Sequence, residues 1–507
     1  MHFLRHAAAL LVLLSSMWVA FAQPRPAAPN RHLLIVLDGL RPDYVTPALM
    51  PRLHALGQRG VVFERHHSVF PTVTRVNASS ISTGAHPATH GLMGNSVFFP
   101  GVDAAKFLDT SDRANLLAIS ASEKGRLLTA ATMGEAMQAA GHRLLVISAG
   151  STGSAFLLNH TVAGGAILHP EFGLPEALYA EMRAKHGAPP ASATPNNARN
   201  HYIVDAFLTL GIPKIDPTVT VMWLGDPDGT AHELGIGHPT TTDALRLLDV
   251  EIGRIQEGLA AAGLLERYNI WVTSDHGFST HTGGVDLGAL LKPFAGEVKA
   301  AGGGAIYLRD SNTPAAAAIV GILQKTPGIG AIFTRASVPG RPGELDGRVP
   351  GTLSFEAAHW SHVRSADILF SPDWTDAKNQ YGWAGTAASG GVAGHGSASP
   401  FDIHNTLVAA GPDLRQKTIV QTPTGNVDFA PTFLNQLGVN TPPSMQGRVL
   451  REALRGGPEA GSVGVRSDGH TAKSADGRYS VTAHFSIVDS AGGQYRYLDY
   501  ASGARRR

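Results

Sequence analysis

Five short runs of Val, Ile and Leu, at residues 33–37, 144–147, 219–224, 270–273 and 406–409, constrain this chain more than any other feature. Each is short and rich in apolar residues with no polar/apolar alternation sustained along it, which marks a strand buried on both faces. Between them lie stretches of helical periodicity such as 130–140 and 242–262. Strand and helix alternating in this way predict an α/β sandwich built on a mainly parallel central sheet flanked by helices. In such sheets ligands bind beyond the carboxyl ends of the strands. The polar residues that could carry chemistry fall there. Asp38 follows the first run, Asp226 and Asp228 the third, Asp275 and His276 the fourth.

The rest of the chain is consistent with an exported enzyme. At 507 residues it can bury one large core plus additions. A net charge of +1 supplies no bulk field for a nucleic-acid groove or an anionic membrane. Residues 1–22 read as a secretory signal: Arg5 and His6 give a basic start, 7–17 are apolar, and Ala20-Phe21-Ala22 is a small-x-small cleavage site. Cysteine is absent, so there is neither a lipoprotein attachment site nor a disulfide, and a periplasmic or secreted location is expected. No other apolar stretch approaches the length of a membrane span. The catalytic domain is expected over 23–455. Its pattern loosens at 279–392, which reads as a cap-like insertion over the site. Trp360, Trp374 and Tyr381 there could stack a base or simply pack the insertion's own core. Beyond 456, alternation at 479–488 and 495–500 predicts a small C-terminal β-hairpin appendage. Asn77-Ala78-Ser79 and Asn159-His160-Thr161 match the glycosylation pattern.

Six segments hold candidate site residues: HLLIVLDG with Asp38, FPTVTRVNASSISTG with Thr74, HGLMGN with Asn95, DPDGTAHELG with Asp228 and His232, VTSDHG with Asp275 and His276, and GGVAGHGS with His395. Asp38 could reach a metal, with Gly39 letting the chain turn beneath it, or cap the next helix. Asp275 and His276 could serve one ion if the backbone leaves extended geometry, which Gly277 would permit. Asp228 and His232, four apart, share one face of a helical turn. His395, between two glycines, suits a ligand that closes the site. Thr74 opens a helix-like stretch whose amides favour anions. A threonine hydroxyl becomes a useful nucleophile when a metal lowers its pKa. Thr72 and Ser79 compete with it for that role.

The segments resemble the alkaline phosphatase superfamily, and within it the nucleotide pyrophosphatase/phosphodiesterase branch. The resemblance runs from 33 to about 450 and fills the branch's pattern: the strand-end Asp at Asp38, the threonine nucleophile at Thr74, the HG-x-x-x-N asparagine at Asn95, the D-x-x-x-H pair at Asp228 and His232, the SDHG pair at Asp275 and His276, and the late histidine at His395. It implies two zinc ions, one held by Asp38, Thr74, Asp275 and His276, the other by Asp228, His232 and His395. It further implies hydrolysis through a phosphothreonine, with Asn95 bonded to a nonbridging phosphate oxygen. Where relatives often carry Phe-Pro-Asn-His after the nucleophile, this chain has Arg75-Val76-Asn77-Ala78. That arginine either contacts a substrate anion or points to solvent.

The ester class follows from charge. Sulfatases of the superfamily need a Cys- or Ser-derived formylglycine with Arg four residues later; that frame reads Thr74 and Ala78 here. Related threonine phosphomonoesterases pair the dianion's extra oxygen with a Lys-x-Arg unit. The corresponding stretch, 147–154, offers hydroxyls and glycines but no cation. A phosphodiesterase or pyrophosphatase acting on a small phosphate ester, with nucleotides among the candidates, is therefore favoured. The alternatives are a phosphomonoesterase, a phosphonate or sulfate ester hydrolase of the same superfamily, and an inactive metal-binding protein.

Overall fold

The computed structural model describes residues 29–311, 314–490 and 493–506, so the expected signal at 1–22 lies outside the described residues. The central sheet has nine strands: β1 (Arg31–Leu37), β2 (Val61–Phe63), β3 (Leu144–Ser148), β4 (Ala166–His169), β5 (Phe172–Leu174), β6 (Val219–Leu224), β7 (Tyr268–Thr273), β8 (Leu407–Ala410) and β9 (Thr418–Val420). Their spatial order is β9-β2-β8-β7-β1-β6-β3-β4-β5. The middle five, β7 to β4, run parallel. Successive side chains of a strand point to opposite faces, and β1 shows the consequence. Leu34 and Val36 join one apolar cluster with Trp223, Trp271 and Phe433, while Leu33, Ile35 and Leu37 join another with Phe207, Leu248 and Ile252. Both faces are covered, as the apolar runs predict.

One strand departs from expectation. The run at 406–409 forms β8, but it lies antiparallel to both β7 and β2. A strand buried on both faces carries the same apolar signature in either direction, so direction was not legible.

Three helices position the site. α1 (Thr74–Thr83) starts after Val73, whose backbone is extended, and every residue of it except Arg75 is buried. α2 (Asp228–Leu234) begins at Asp228. α3 (Pro239–Ala261) starts three residues before the periodicity indicated, at a proline that suits a first helical turn.

Residues 279–394 fold as two small sheets, one of five strands with the helix Ala315–Lys325, the other of four. The ends of this stretch are zipped together, with Ser279 opposite Gly394 and Thr280 opposite Ala393. At the C-terminus a third strand, Gly464–Lys473, joins the expected pair Tyr479–Ser490 and Gly493–Arg505. Val481, Phe485 and Ala501 of these strands share one apolar cluster with Ile332, Phe333 and Trp360 of the inserted stretch. Among the described residues no helix is long and apolar enough to cross a membrane.

Candidate metal centre

Three neighbouring parallel strands, β7-β1-β6, deliver the carboxylates. Asp275 lies two residues past β7, Asp38 directly after β1, and Asp228 four past β6. Gly39 has φ +73°, and a Cβ there would sit 3.2 Å from the Asp228 Cα, so the turn after Asp38 runs against α2. Gly277 acts differently from its sequence expectation. Its φ is not in the left-handed region; instead a Cβ would meet the Phe401 carbonyl oxygen at 2.1 Å. The glycine is needed for close approach, not for an unusual turn.

His395 arrives because the inserted stretch closes on itself at Ser279 and Gly394. Thr72, two residues before Thr74, then fixes the loop. Its carbonyl accepts from His395 Nδ1 at 2.8 Å and its Oγ1 accepts from the Gly396 amide at 3.1 Å. The His395 ring is stacked on His276, centroids 3.4 Å apart. The loop is thus held by bonds and packing, contrary to the expectation of a histidine held by flexible glycines. Thr72 also donates to the Ser397 carbonyl, so its hydroxyl is committed. Ser79 donates to the Arg75 carbonyl. Of the three competing hydroxyls, only that of Thr74 faces the cluster, 3.3 Å from His276 Nε2.

All three imidazoles are oriented alike. Nδ1 of His232 faces the Ala393 carbonyl, that of His276 the Gly277 carbonyl and that of His395 the Thr72 carbonyl, at 2.8–2.9 Å. A carbonyl can only accept, so Nδ1 carries a proton and Nε2 is the ring atom that faces inward, a lone pair whenever the imidazole is neutral. The Nε2 atoms meet carboxylate oxygens. Asp228 Oδ1 lies 3.3 Å from Nε2 of both His232 and His395, and Asp275 Oδ2 lies 3.0 Å from His276 Nε2. Asp38 Oδ1, Asp228 Oδ1 and Asp275 Oδ2 are all buried without a hydrogen-bond donor. Acceptors facing acceptors in a buried space are costly unless a cation lies between them.

The electrostatics agree. Burial, with Asp275 and Asp228 nearby, raises the Asp38 carboxyl well above its ordinary value. Burial and Asp228 push Asp275 up to about 7. Burial acts on Asp228 as well, but the neighbouring imidazoles of His232 and His395 overcome it and hold that carboxyl well below the ordinary value. The donor set fits divalent cations: Asp228, His232 and His395 bring ligand atoms within 4.8 Å of one another, as do Asp38, Asp228 and His276. Mixed imidazole and carboxylate donors suit zinc.

Asn95 sits beside the nucleophile. Its Oδ1 accepts from the Arg75 amide at 3.0 Å and its carbonyl accepts from Thr110, which leaves the side-chain NH2 for another acceptor. Asp38 caps no helix: the next turn, Pro42–Tyr44, is preceded by Arg41, and Asp38 Oδ2 instead accepts from Trp223 Nε1 at 2.9 Å. Trp223, near the end of β6 and beside β1, was not anticipated. Asp226 faces away from the cluster's chemistry, accepting from Asn196 and Thr230. Of the aromatics offered for base stacking, Trp360 and Trp374 do other work. Trp360 is buried and donates to the Met93 carbonyl, bracing the segment that bears Asn95; Trp374 donates to the Ala501 carbonyl; Tyr381 lies half-exposed with its ring edge toward His238. Asn77 and Asn159 are fully buried, which removes both glycosylation matches from reach.

A profile of the type I phosphodiesterase / nucleotide pyrophosphatase family matches residues 32–330. The ectonucleotide pyrophosphatase/phosphodiesterase family member 1 of Rattus norvegicus is 25% identical over 288 residues, 56% of this chain and 28% of that protein. The bis(5'-adenosyl)-triphosphatase ENPP4 of Bos taurus is 23% identical over 434 residues, 82% of this chain and 80% of that protein. The first curated relatives are matched over about a quarter to a half of their length. Among solved structures, murine ectonucleotide pyrophosphatase/phosphodiesterase 5, an inactive variant in complex with AMP, has a TM-score of 0.60 at 18% identity, covering 84% of this chain and all of that one. That likeness is one of fold.

Proposed function

The chain belongs to the type I phosphodiesterase / nucleotide pyrophosphatase family, and on that premise we propose that it is an exported two-zinc hydrolase cleaving phosphodiester or pyrophosphate bonds through a phosphothreonine at Thr74. The observation that carries this reading is the shared orientation of His232, His276 and His395. Each Nδ1 is tied to a carbonyl and each Nε2 turned toward carboxylate oxygens that have no donor.

Asp38, Thr74, Asp275 and His276 would hold one ion and Asp228, His232 and His395 the other. When bound, such ions lower the pKa of the threonine hydroxyl and stabilise charge on the leaving oxygen. The chain supplies the rest. Thr74 Oγ1, fixed at the first turn of α1, gives up its proton to solvent and attacks phosphorus; the Oγ1–P bond forms as the bond to the leaving alcohol or phosphate oxygen breaks, and that oxygen departs with the electron pair. Water then cleaves the Thr74 Oγ1–P bond and restores the hydroxyl. Asn95 offers its free NH2 to a nonbridging oxygen, where charge grows during the displacement. The names of the curated relatives and the AMP of the structural neighbour support a nucleotide as the substrate class.

The test is turnover of bis-p-nitrophenyl phosphate against p-nitrophenyl phosphate by zinc-loaded protein, with Thr74→Ala as control. A diester preference lost by about 10⁴-fold in the variant is expected. A Thr74→Ala protein that retains its turnover would overturn the phosphothreonine.

A further inference from the structure

Arg75 stands between Thr74 and the buried remainder of α1 and is the exception on that helix, only half-buried. Its amide is spent on Asn95, so Thr74, Arg75 and Asn95 form one unit at the head of α1. Its side chain is spent on nothing. Nε is buried without an acceptor, and no described residue makes a hydrogen bond or ion pair with the guanidinium. Asp109, the carboxylate that acts on it most strongly, is occupied. Its two oxygens accept from the Ser111 amide at 2.8 Å and the Ser111 hydroxyl at 2.7 Å. Asp38, Asp228 and Asp275 also attract the guanidinium, which places it within the electrostatic reach of the metal centre. An arginine cannot shed its charge to relieve such a position, and its fork geometry matches phosphate oxygens. It does not simply point to solvent.

Resting on the hydrolase reading above, we infer that Arg75 pairs with a second phosphate-borne negative charge of the substrate, next to the scissile phosphorus. A simple diester carries one charge, which the metal centre and Asn95 already address. The extra charge has two chemical sources: the second phosphate of a pyrophosphate, or the additional charged oxygen of a monoester. Both present the same oxygen anion to a guanidinium.

The experiment compares kcat/KM for three substrates, bis-p-nitrophenyl phosphate, p-nitrophenyl phosphate and a dinucleoside pyrophosphate, in the zinc-loaded wild type, Arg75→Gln and Arg75→Lys. Metal content and melting temperature of each variant check the fold. Arg75→Gln is expected to lower kcat/KM for a doubly charged substrate at least about tenfold more than for bis-p-nitrophenyl phosphate. Lysine is expected to recover part of the difference. Selective loss on the pyrophosphate assigns the second phosphate as the group bound; selective loss on p-nitrophenyl phosphate assigns the monoester oxygen. Equal losses on all three, or no loss, overturn the role of Arg75 and leave the hydrolase reading standing. A wild type that cleaves none of the three overturns the hydrolase reading, and with it the role of Arg75.

Discussion

Two clusters in this molecule contain the same residue types and differ in what they need. Asp228, His232 and His395 form one; His67, His404 and Asp499 form the other, and both bring three ligand atoms within 4.8 Å of one another. In the second, Asp499 Oδ1 meets His67 Nε2 at 2.9 Å, the Ser486 hydroxyl lies 2.8 Å from both carboxylate oxygens, and the Arg65 guanidinium is 3.8 Å away. No atom of Asp499 is left without a donor. In the first, Asp228 Oδ1 is buried without a hydrogen-bond partner, 3.3 Å from Nε2 of both His232 and His395. Proximity of histidine and aspartate is therefore a weak criterion for a cation site. The orphaned acceptor is the stronger one, because His67 too is tied back to a carbonyl, that of Thr424, and yet Asp499 has the Ser486 hydroxyl as a donor.

The largest expected effect breaks this comparison outright. Exhaustive chelation is expected to take turnover to background, and zinc to restore it better than magnesium, because three of the donors are imidazoles. Undiminished turnover after chelation would remove the distinction between the clusters. Next comes occupancy. His395→Ala should deplete the ion shared with Asp228 and His232 more than its neighbour, read as metal per chain by mass spectrometry. Equal loss of both ions in a folded protein would contradict the assigned ligand sets.

Protons sharpen the same point. Cation-free, Asp275 sits at about 7, raised by burial and by Asp228. Burial would lower His232, but its bond to Asp228 holds it up at about 9. At pH 7 the first is half protonated and the second protonated, and both must be bare to ligate. Loading metal should then release protons from these groups and from Asp38, which burial also raises, and fewer of them at pH 9 than at pH 7, so affinity rises with pH across that window. A weakly buffered titration with a pH indicator reads this directly, and release that does not depend on pH would count against these groups as ligands.

The parts of this architecture that were legible in the sequence share one physical property. β1, β6 and β7 are buried on both faces, which writes a run rich in apolar residues, and the carboxylates mark where each run ends. The direction of β8 was hidden because burial carries no sense of direction. The strand Gly464–Lys473 was hidden because it is an edge strand, largely exposed, held by backbone pairing along Tyr479–Ser490, and so writes no apolar pattern. Within the site, residue types and spacing indicated the donors, but the choice among hydroxyls needed tertiary bonds. Thr72 is excluded by its bond to Ser397, across 325 residues of chain. The supporting partner Trp223 was hidden because a buried tryptophan reads as core from sequence, and it is core: only its indole N–H serves Asp38.

That N–H predicts the next effect down the scale. Trp223→Phe keeps the packing against β1 and removes the donor to Asp38 Oδ2. Losing such a partner should weaken metal affinity by about 10- to 100-fold, measured by competition with a chromophoric chelator. An unchanged affinity would mean that Asp38 is oriented by its strand alone.

The smallest effect on chemistry belongs to the second cluster, and there stability is the quantity to read. Asp499→Ala leaves His67 buried against the Thr424 carbonyl with no partner for Nε2, and takes the acceptor from the Ser486 hydroxyl, which still accepts from Arg65. Unsatisfied groups of this kind cost about 1–3 kcal/mol each when buried, and less at Asp499, which is partly exposed. The sum should lower the melting temperature by a few degrees, because Asp499 ties the last strand to His67 of the core. Zinc content and turnover should match the wild type. If the variant instead loses a metal equivalent, His67, His404 and Asp499 hold an ion after all, and the orphaned acceptor fails as the criterion that separates the two clusters.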